Sequence, residues 1–475
     1  MEQLHGDHGC QKYPSEKCFK NESVIIVGLR MQHRTTTLAG KFIDDWTFKN
    51  ANTQYLTHGL HPYPARMIPQ LAKKLIMNYS EEEDWVLDPF CGSGTSLVEA
   101  RLNNRNSIGN ELNPLAFLLS KVKTTPLEKE ELGRLTKEVL NEAQEKSHLL
   151  RNKYSKKGIV SIDKWIEKDT KSTSFIAEIE IPKFPNLDLW FKKNVALELA
   201  ILRKIILNLD CEQPYGDFFK ICLSFTAMKS SNADFESHQA HPSRYKPEKL
   251  AAHSPNVLSI FRKKTTDSVN RVIDFSEKIS DKQVECFILF GDAKRLDLKS
   301  IVPRQGIDII VTSPPYGEEK NTVGYHRWAK IMAYWIGFSR DEMKKSEELS
   351  LGSKPNIDAD IPSKTAISFV NLVKEKSKRE SRAANLASFF YDYNETIIQM
   401  ANWLKSGGIA TIVVGNRLVS GHRIAMDRVT VELAEQMGFK EEKTFYRDIP
   451  NTVMPRRIPE GETIARESII ILRKM

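Results

Sequence analysis

The 475-residue chain has no CxxC pair, and its six cysteines (Cys10, Cys18, Cys91, Cys211, Cys222 and Cys286) are scattered. That spacing builds neither a disulfide framework nor a zinc knuckle, so a reducing compartment is expected. The pairs His58/His61 and His238/His241 have helical i, i+3 spacing, but prolines adjoin His61 and His241 and no third ligand is near. No metal is expected. No apolar run approaches the roughly 18 residues of a membrane span, and the opening MEQLHGDHGCQKYPSEKCFK lacks the apolar centre of a signal peptide. The expectation is a cytoplasmic protein with no membrane contact. Internal repeats and low-complexity tracts are also missing.

What is present is an ordinary globular composition, 40% hydrophobic and 28% charged. The length suffices for one large core or for two to three smaller ones. An excess of 70 Lys+Arg over 61 Asp+Glu leaves +9, which suits a polyanionic partner without requiring one.

Short apolar runs alternate with amphipathic stretches at both ends of the chain. WVLDPF (85–90), NSIGNEL (106–112), CFILFGD (286–292), IDIIVTS (307–313), IATIVVGN (409–416) and ESIIILRK (467–474) read as strands. MIPQLAKKLIMNY, TSLVEARLNN and RVTVELAEQMG read as helices. The alternation predicts an α/β fold with a mostly parallel sheet covered on both faces. Residues 123–285 break it with Lys- and Glu-rich helical sequence, the amphipathic LWFKKNVALELAILRKIILNL and a polar loop. The expected organisation is an N-terminal extension (1–45), a first catalytic part (46–122), a helical insertion (123–285) and a second catalytic part (286–475).

The stretch VLDPFCGSGTSLVEA holds a strand ending at Asp88, then Gly92 and Gly94, then a helix. Glycines there let a ligand approach the backbone closely. No lysine follows Gly94, so this is not a triphosphate-binding loop. On its own, such a turn is as well read as a tight connection. Glu111 ends the next strand, where an α/β sheet offers a carboxylate to ribose hydroxyls. Asp292, in FGDAK, ends another, and can accept from an adenine amine. Together they describe a nucleoside pocket with little phosphate character. In IDIIVTSPPYGEEK (307–320) a buried strand runs into Pro314 and Pro315, which cannot continue it. The chain stops there with a hydroxyl, free carbonyls and an aromatic ring, a platform for something flat.

DPFCGSGT resembles the S-adenosylmethionine-binding motif of the amino-methylating DNA methyltransferases, and TSPPY resembles their catalytic motif. YLTHGLHPYPARMIPQLAKKLI (55–76) is similar to the segment that precedes the cofactor loop in many members. The resemblance covers residues 46–122 and 286–475. It implies a Rossmann-like methyltransferase fold with S-adenosylmethionine held by Asp88, Phe90, Gly92, Gly94, Thr95, Glu111, Asp292, His61 and Tyr63. It also implies a catalytic set of Ser313, Pro314, Pro315 and Tyr316. The flat object would be a nucleobase flipped out of double-stranded DNA.

A base amine is a poor nucleophile because its lone pair is delocalised into the ring. Accepting its two N–H groups at the Ser313 hydroxyl and the Pro314 carbonyl would turn that lone pair toward the methyl donor, with Tyr316 stacked on the base. Serine at this position is the family's sign for N4 of cytosine, with N6 of adenine as the nearest variant. Thr322 and Tyr325 lie at distances similar to those in serine-type members. No cysteine follows a proline, which disfavours methylation at carbon 5. An RNA methyltransferase acting on guanine N2 and a catalytically silent DNA-binding scaffold also fit this fold, although Ser313 speaks against the first and the intact SPPY and glycine motifs against the second.

By the resemblance, the motif order implies target recognition in the insertion, with residues 317–385 as a second region for the task; within the insertion, SSNADFESHQAHPSRYKPEK (230–249) carries Arg244 and Lys246 and reads either as a DNA contact or as a surface loop. Tyr325 and Arg379 are further candidates for DNA contact. The basic run KEKSKRESR (374–382) is either a solvated helix face or a phosphate contact. A prokaryotic cell and a cognate restriction endonuclease as partner fit the resemblance.

Overall fold

The computed structural model describes residues 35–38, 41–44, 46–155, 179–233, 235, 247–302, 305–317, 323–377, 380–420, 422–449 and 464–475. The chain divides into two compact units, Met1–Asp45 and Trp46–Met475. The described part of the first is an antiparallel hairpin of β1 (Thr35–Leu38) and β2 (Lys41–Asp44).

The second unit is organised on a seven-stranded sheet. Its strands are β3 (Trp85–Asp88), β4 (Asn106–Glu111), β5 (Cys286–Phe290), β6 (Ile307–Thr312), β7 (Leu404–Gly415), β10 (Phe439–Asp448) and β11 (Arg466–Lys474), in the spatial order β10-β11-β7-β6-β3-β4-β5. A small hairpin, β8 (Leu418–Val419) with β9 (His422–Arg423), follows β7. All pairings between β5 and β7 are parallel, and β11 alone runs the other way.

Alternate residues of the central strands feed two cores. Leu87, Ile310, Ile412, Val414 and Ile470 face one side with the helices Lys364–Lys376, Glu380–Trp403 and Met426–Gln436. Val86, Ile309, Val311, Val413 and Ile469 face the other with helix α1 (Pro69–Tyr79). Because both faces are covered, these strands read as continuous apolar runs. In α1, Pro69 occupies the first turn and Leu71, Ala72, Leu75 and Ile76 are buried, one face of a 3.6-residue period.

Helix α2 (Thr95–Leu102) follows β3, and α3 (Pro114–Thr124) follows β4. The described chain from there to β5 carries α4 (Lys129–Ser155) and further helices at Leu187–Trp190, Lys193–Leu207, Gln213–Ser230, Pro247–Ala252 and Val257–Ile279. Apart from Pro247–Ala252, their apolar faces share one core with α3 and the helix Tyr325–Trp335, through residues such as Leu119, Ile201, Phe219, Trp328 and Trp335. The helical segment therefore packs onto α3 and the helix Tyr325–Trp335. Among the described residues no helix is long and apolar enough to cross a membrane.

Two elements differ from the periodicity reading. β10 is an edge strand whose outer residues are Lys and Glu, so its alternation is masked by the charges that protect an exposed edge. β7 begins at Leu404 rather than near 409, because Leu404 pairs with Ile307 ahead of a register shift. The polar stretch 228–250 opens inside the helix Gln213–Ser230 and ends in the helix Pro247–Ala252, and most of what lies between is outside the described residues.

Ile310 sits at the sheet centre with no exposure, whereas Phe290 on edge strand β5 is 52% exposed. Ile310→Ala is expected to cost about 2–5 kcal/mol and Phe290→Ala less than about 1 kcal/mol. Denaturant titration of the two variants checks this.

Candidate active site

The strand order reverses at β3, with β4 and β5 on one side and β6 and β7 on the other. In an open α/β sheet the crevice forms at such a reversal, beyond the carboxyl ends of the strands. A cleft opens there. Its walls come from the turn after β3, the ends of β4 and β5, the turn after β6, and the segments around Tyr63 and Leu349–Leu351.

The turn after β3 depends on two glycines. Gly94 has φ +80°, and a Cβ on it would lie 2.9 Å from the Ser120 Cβ, so backbone and space both exclude a side chain. This lets α2 start directly against α3. Gly92 has φ +52°, and the Tyr63 ring lies 3.7 Å from where its Cβ would be. Tyr63 thus covers the loop and stacks at 6.0 Å on Tyr325, the first residue of the helix Tyr325–Trp335.

Asp88 ends β3 and is buried. Its carboxylate accepts from Thr312 Oγ1 at 2.7 Å, from the Phe90 N–H at 3.1 Å and from the Ser96 hydroxyl. Burial raises its pKa to about 6, with the three hydrogen bonds pulling the other way. Asp88 lines the cleft and also ties the glycine turn to the last residue of β6. Asn110 does the same on the other flank, donating to the carbonyls of Pro89 at 3.2 Å and Gly291 at 3.1 Å.

Glu111 ends β4. Its carboxylate accepts from the Asn113 N–H at 2.7 Å, and Asn113 in turn caps α3 by accepting from the Leu115 and Ala116 N–H groups. Burial raises the Glu111 pKa to about 7. Asp292 caps a short 3-10 turn by accepting from the Lys294 N–H at 3.0 Å, and the Lys294 ammonium lies 3.5 Å from its carboxylate.

On the far wall, Ser313, Pro315 and Gly317 face the cleft. Ser313 Oγ lies 3.2 Å from Tyr316 Oη and donates to the Val413 carbonyl at 3.2 Å. Pro314 is buried and, like Gly94 and Tyr316, is not among the residues that line the cleft; the Tyr316 ring packs against Gly415 instead of presenting a face to the cleft, and its hydroxyl donates to Glu467 Oε1 at 2.8 Å.

The cleft thus gathers Tyr63, Asp88, Phe90, Gly92, Thr95, Glu111, Asp292, Ser313, Pro315 and Tyr325. His61 is set apart from it. Its Nδ1 meets the Pro62 carbonyl at 2.7 Å, its Nε2 meets Ser224 Oγ at 3.2 Å, and burial lowers its pKa to about 3. That histidine packs edge-on against Phe225 and Trp328, tying its segment to the helices. Cys91 is buried in the turn, and Gly109 has no room for a Cβ because the Cys91 sulfur would lie 2.9 Å away. Arg244, Lys246, Thr322 and Arg379 lie outside the described residues. Sequence reasoning misses Thr312, Ser96, Asn110 and Glu467; for Thr312 the one signal is its place before the SPPY turn.

A family model described as DNA methylase matches residues 17–121. The chain is 30% identical to the Type II methyltransferase M.MvaI of Kocuria varians, over 92% of this chain and 94% of that one. The chain belongs to the amino-methylating DNA methyltransferases. It is also 25% identical to the Type II methyltransferase M.MjaII of Methanocaldococcus jannaschii, over 86% of this chain and 79% of that one. Among solved structures, an rRNA methyltransferase, aviRa, from Streptomyces viridochromogenes aligns over 87% of this chain and 89% of that one at 10% identity with a TM-score of 0.29, too low to support any inference.

The cofactor of this DNA methyltransferase is S-adenosylmethionine, the methyl donor of its family. The cleft fits that group. Phe90, Leu112, Ala293 and Leu351 give apolar walls, Glu111 and Asp292 give acceptors, and the turn after β3 lacks the lysine that a polyphosphate would call for.

Glu111 has a folded-state pKa above its unfolded value, so the folded protein holds the extra proton and loses stability as pH rises from about 4.5 through about 7. Glu111→Gln removes this penalty. Without cofactor the variant should match the wild type near pH 4.5 and exceed its stability at pH 8, as read from denaturation midpoints; the reverse order would refute the assignment.

Proposed function

We propose that this methyltransferase modifies the exocyclic N4 amine of cytosine in double-stranded DNA, acting on a flipped base by direct transfer within a restriction-modification setting. The observation that carries this reading is the Ser313 hydroxyl, set at the cleft wall beside the buried Pro314 and joined through Thr312 and Asp88 to the glycine turn. A hydroxyl at that place can accept one amine N–H while the Pro314 carbonyl accepts the other, which directs the nitrogen lone pair into the cleft.

Glu111 would take the ribose hydroxyls of the cofactor, Asp292 the adenine amine and Phe90 the adenine face, with Gly92, Gly94 and Thr95 forming the close-approach turn. When bound, S-adenosylmethionine supplies an electrophilic methyl group on a sulfonium. The residues of the chain contribute alignment, and no covalent bond to the protein is needed. Tyr63 and Tyr325 stack on each other within the cleft wall, 6.0 Å between ring centres. Ser313 in place of a carboxamide or carboxylate supports cytosine over adenine, since the resemblance links serine to N4 chemistry.

The helical segment 123–285 would read the target sequence, because the two motif turns alone offer too little surface to contact several base pairs. Its packing onto α3 and the helix Tyr325–Trp335 supports a fixed placement beside the cleft.

Mass spectrometry of nucleosides from DNA treated with the protein and labelled cofactor tests the reading. Labelled N4-methylcytosine is expected; label in N6-methyladenine, in a guanine base of RNA, or in no base would overturn it. Ser313→Ala should slow methylation about tenfold to a thousandfold with cofactor affinity unchanged.

A further inference from the structure

The Ser313 hydroxyl has one proton and two lone pairs, and the function proposed above needs a lone pair facing the cleft. Which way the hydroxyl points depends on its neighbours. The Val413 carbonyl, 3.2 Å away, can only accept. Tyr316 Oη, also 3.2 Å away, can donate or accept. A proton donated from Tyr316 to Ser313 would take one of its two lone pairs and leave the other a weaker acceptor for the amine.

Glu467 draws that proton off. Tyr316 Oη donates to Glu467 Oε1 at 2.8 Å. A carboxylate has no proton to give, so the phenol must donate to it and is left an acceptor toward Ser313. Arg447 lies 3.3 Å from Glu467 Oε2 and is itself only 5% exposed, so the carboxylate is paired with a buried guanidinium.

The strand register explains why the group stands there. Glu467 on β11 is paired with Gly415 on β7 and with Arg447 on β10, so the three residues form a row across the sheet. A Cβ on Gly415 would lie 2.8 Å from the Tyr316 ring. Only glycine lets the ring lie on the sheet and reach the carboxylate.

We infer that Glu467 is a positioning residue that sets the hydrogen-bond polarity of Ser313, holding the Tyr316 proton away so that neither Ser313 lone pair is spent on Tyr316 and the target amine meets a full-strength acceptor. This rests on the reading of Ser313 as amine acceptor.

The test is a double-mutant cycle of Glu467→Gln and Tyr316→Phe, followed by single-turnover methylation of unmethylated genomic DNA and by calorimetry with S-adenosylmethionine. In Glu467→Gln the amide oxygen turns to Arg447 and its N–H groups to Tyr316, which directs the phenol proton onto Ser313. The rate should fall at least about tenfold with cofactor affinity unchanged. Phenylalanine has no proton to misdirect, so the double variant should be faster than Glu467→Gln and no slower than Tyr316→Phe. Additive losses, or an unchanged rate in Glu467→Gln, overturn the inference. If Glu467→Gln loses cofactor binding through misfolding, Glu467→Asp takes its place in the cycle with the same expected pattern, since it keeps the charge beside Arg447 and withdraws it from Tyr316. The wild type in the same assay separates the two levels. A wild type that methylates no exocyclic amine refutes the reading of Ser313, whereas an active wild type with an additive cycle refutes only the role of Glu467.

Discussion

The cleft depends on the Asp88 carboxylate, a buried acid whose desolvation is offset by hydrogen bonds alone. A charge in that position costs several kcal/mol unless its oxygens are satisfied, so the three donors around it are required rather than incidental. They come from the turn after β3 (Phe90), the first turn of α2 (Ser96) and the end of β6 (Thr312). One group therefore fixes the glycine turn after β3 and the residue immediately before Ser313. Two motifs more than 200 residues apart in sequence are held in one geometry by a contact of 2.7 Å.

The same economy appears at the far wall. In a sheet that is otherwise parallel, the carboxyl ends of the strands all point to the cleft, and a reversed strand brings its first residues there instead. β11 is that strand, and its second residue, Glu467, reaches Tyr316. The reversal puts a carboxylate from the end of the chain beside a turn that lies about 150 residues earlier. Arg447 arrives by the next hairpin register, and Gly415 leaves the space for the ring.

Most of the central sheet is legible in the sequence because its strands are short apolar runs buried on both faces. The glycine turn after β3 and the SPPY turn are legible because glycine and proline leave few backbone alternatives. What stays hidden depends on contacts remote in sequence. Thr312 reads as a strand residue, and nothing local marks it as a partner of Asp88. Glu467 reads as a polar strand end until the register with Gly415 and Arg447 is known. The sequence groups His61 with the cofactor set because its segment resembles the one before the cofactor loop, yet its ring lies among Phe225, Trp328 and Ser224, which come from helices whose packing the sequence does not reveal. β10 escapes detection because an edge strand is charged where an inner one is apolar.

The most direct test of the Asp88 account is the S-adenosylmethionine affinity of Thr312→Val. Thr312 is buried in β6 and is not part of the cleft wall, so its hydroxyl can influence the cofactor only through Asp88. Removing that donor leaves a buried carboxylate under-satisfied, at about 1–3 kcal/mol, and frees the turn to shift. The account predicts that calorimetry will show affinity weakened by about tenfold or more. An affinity equal to that of the wild type, in a folded variant, would contradict it.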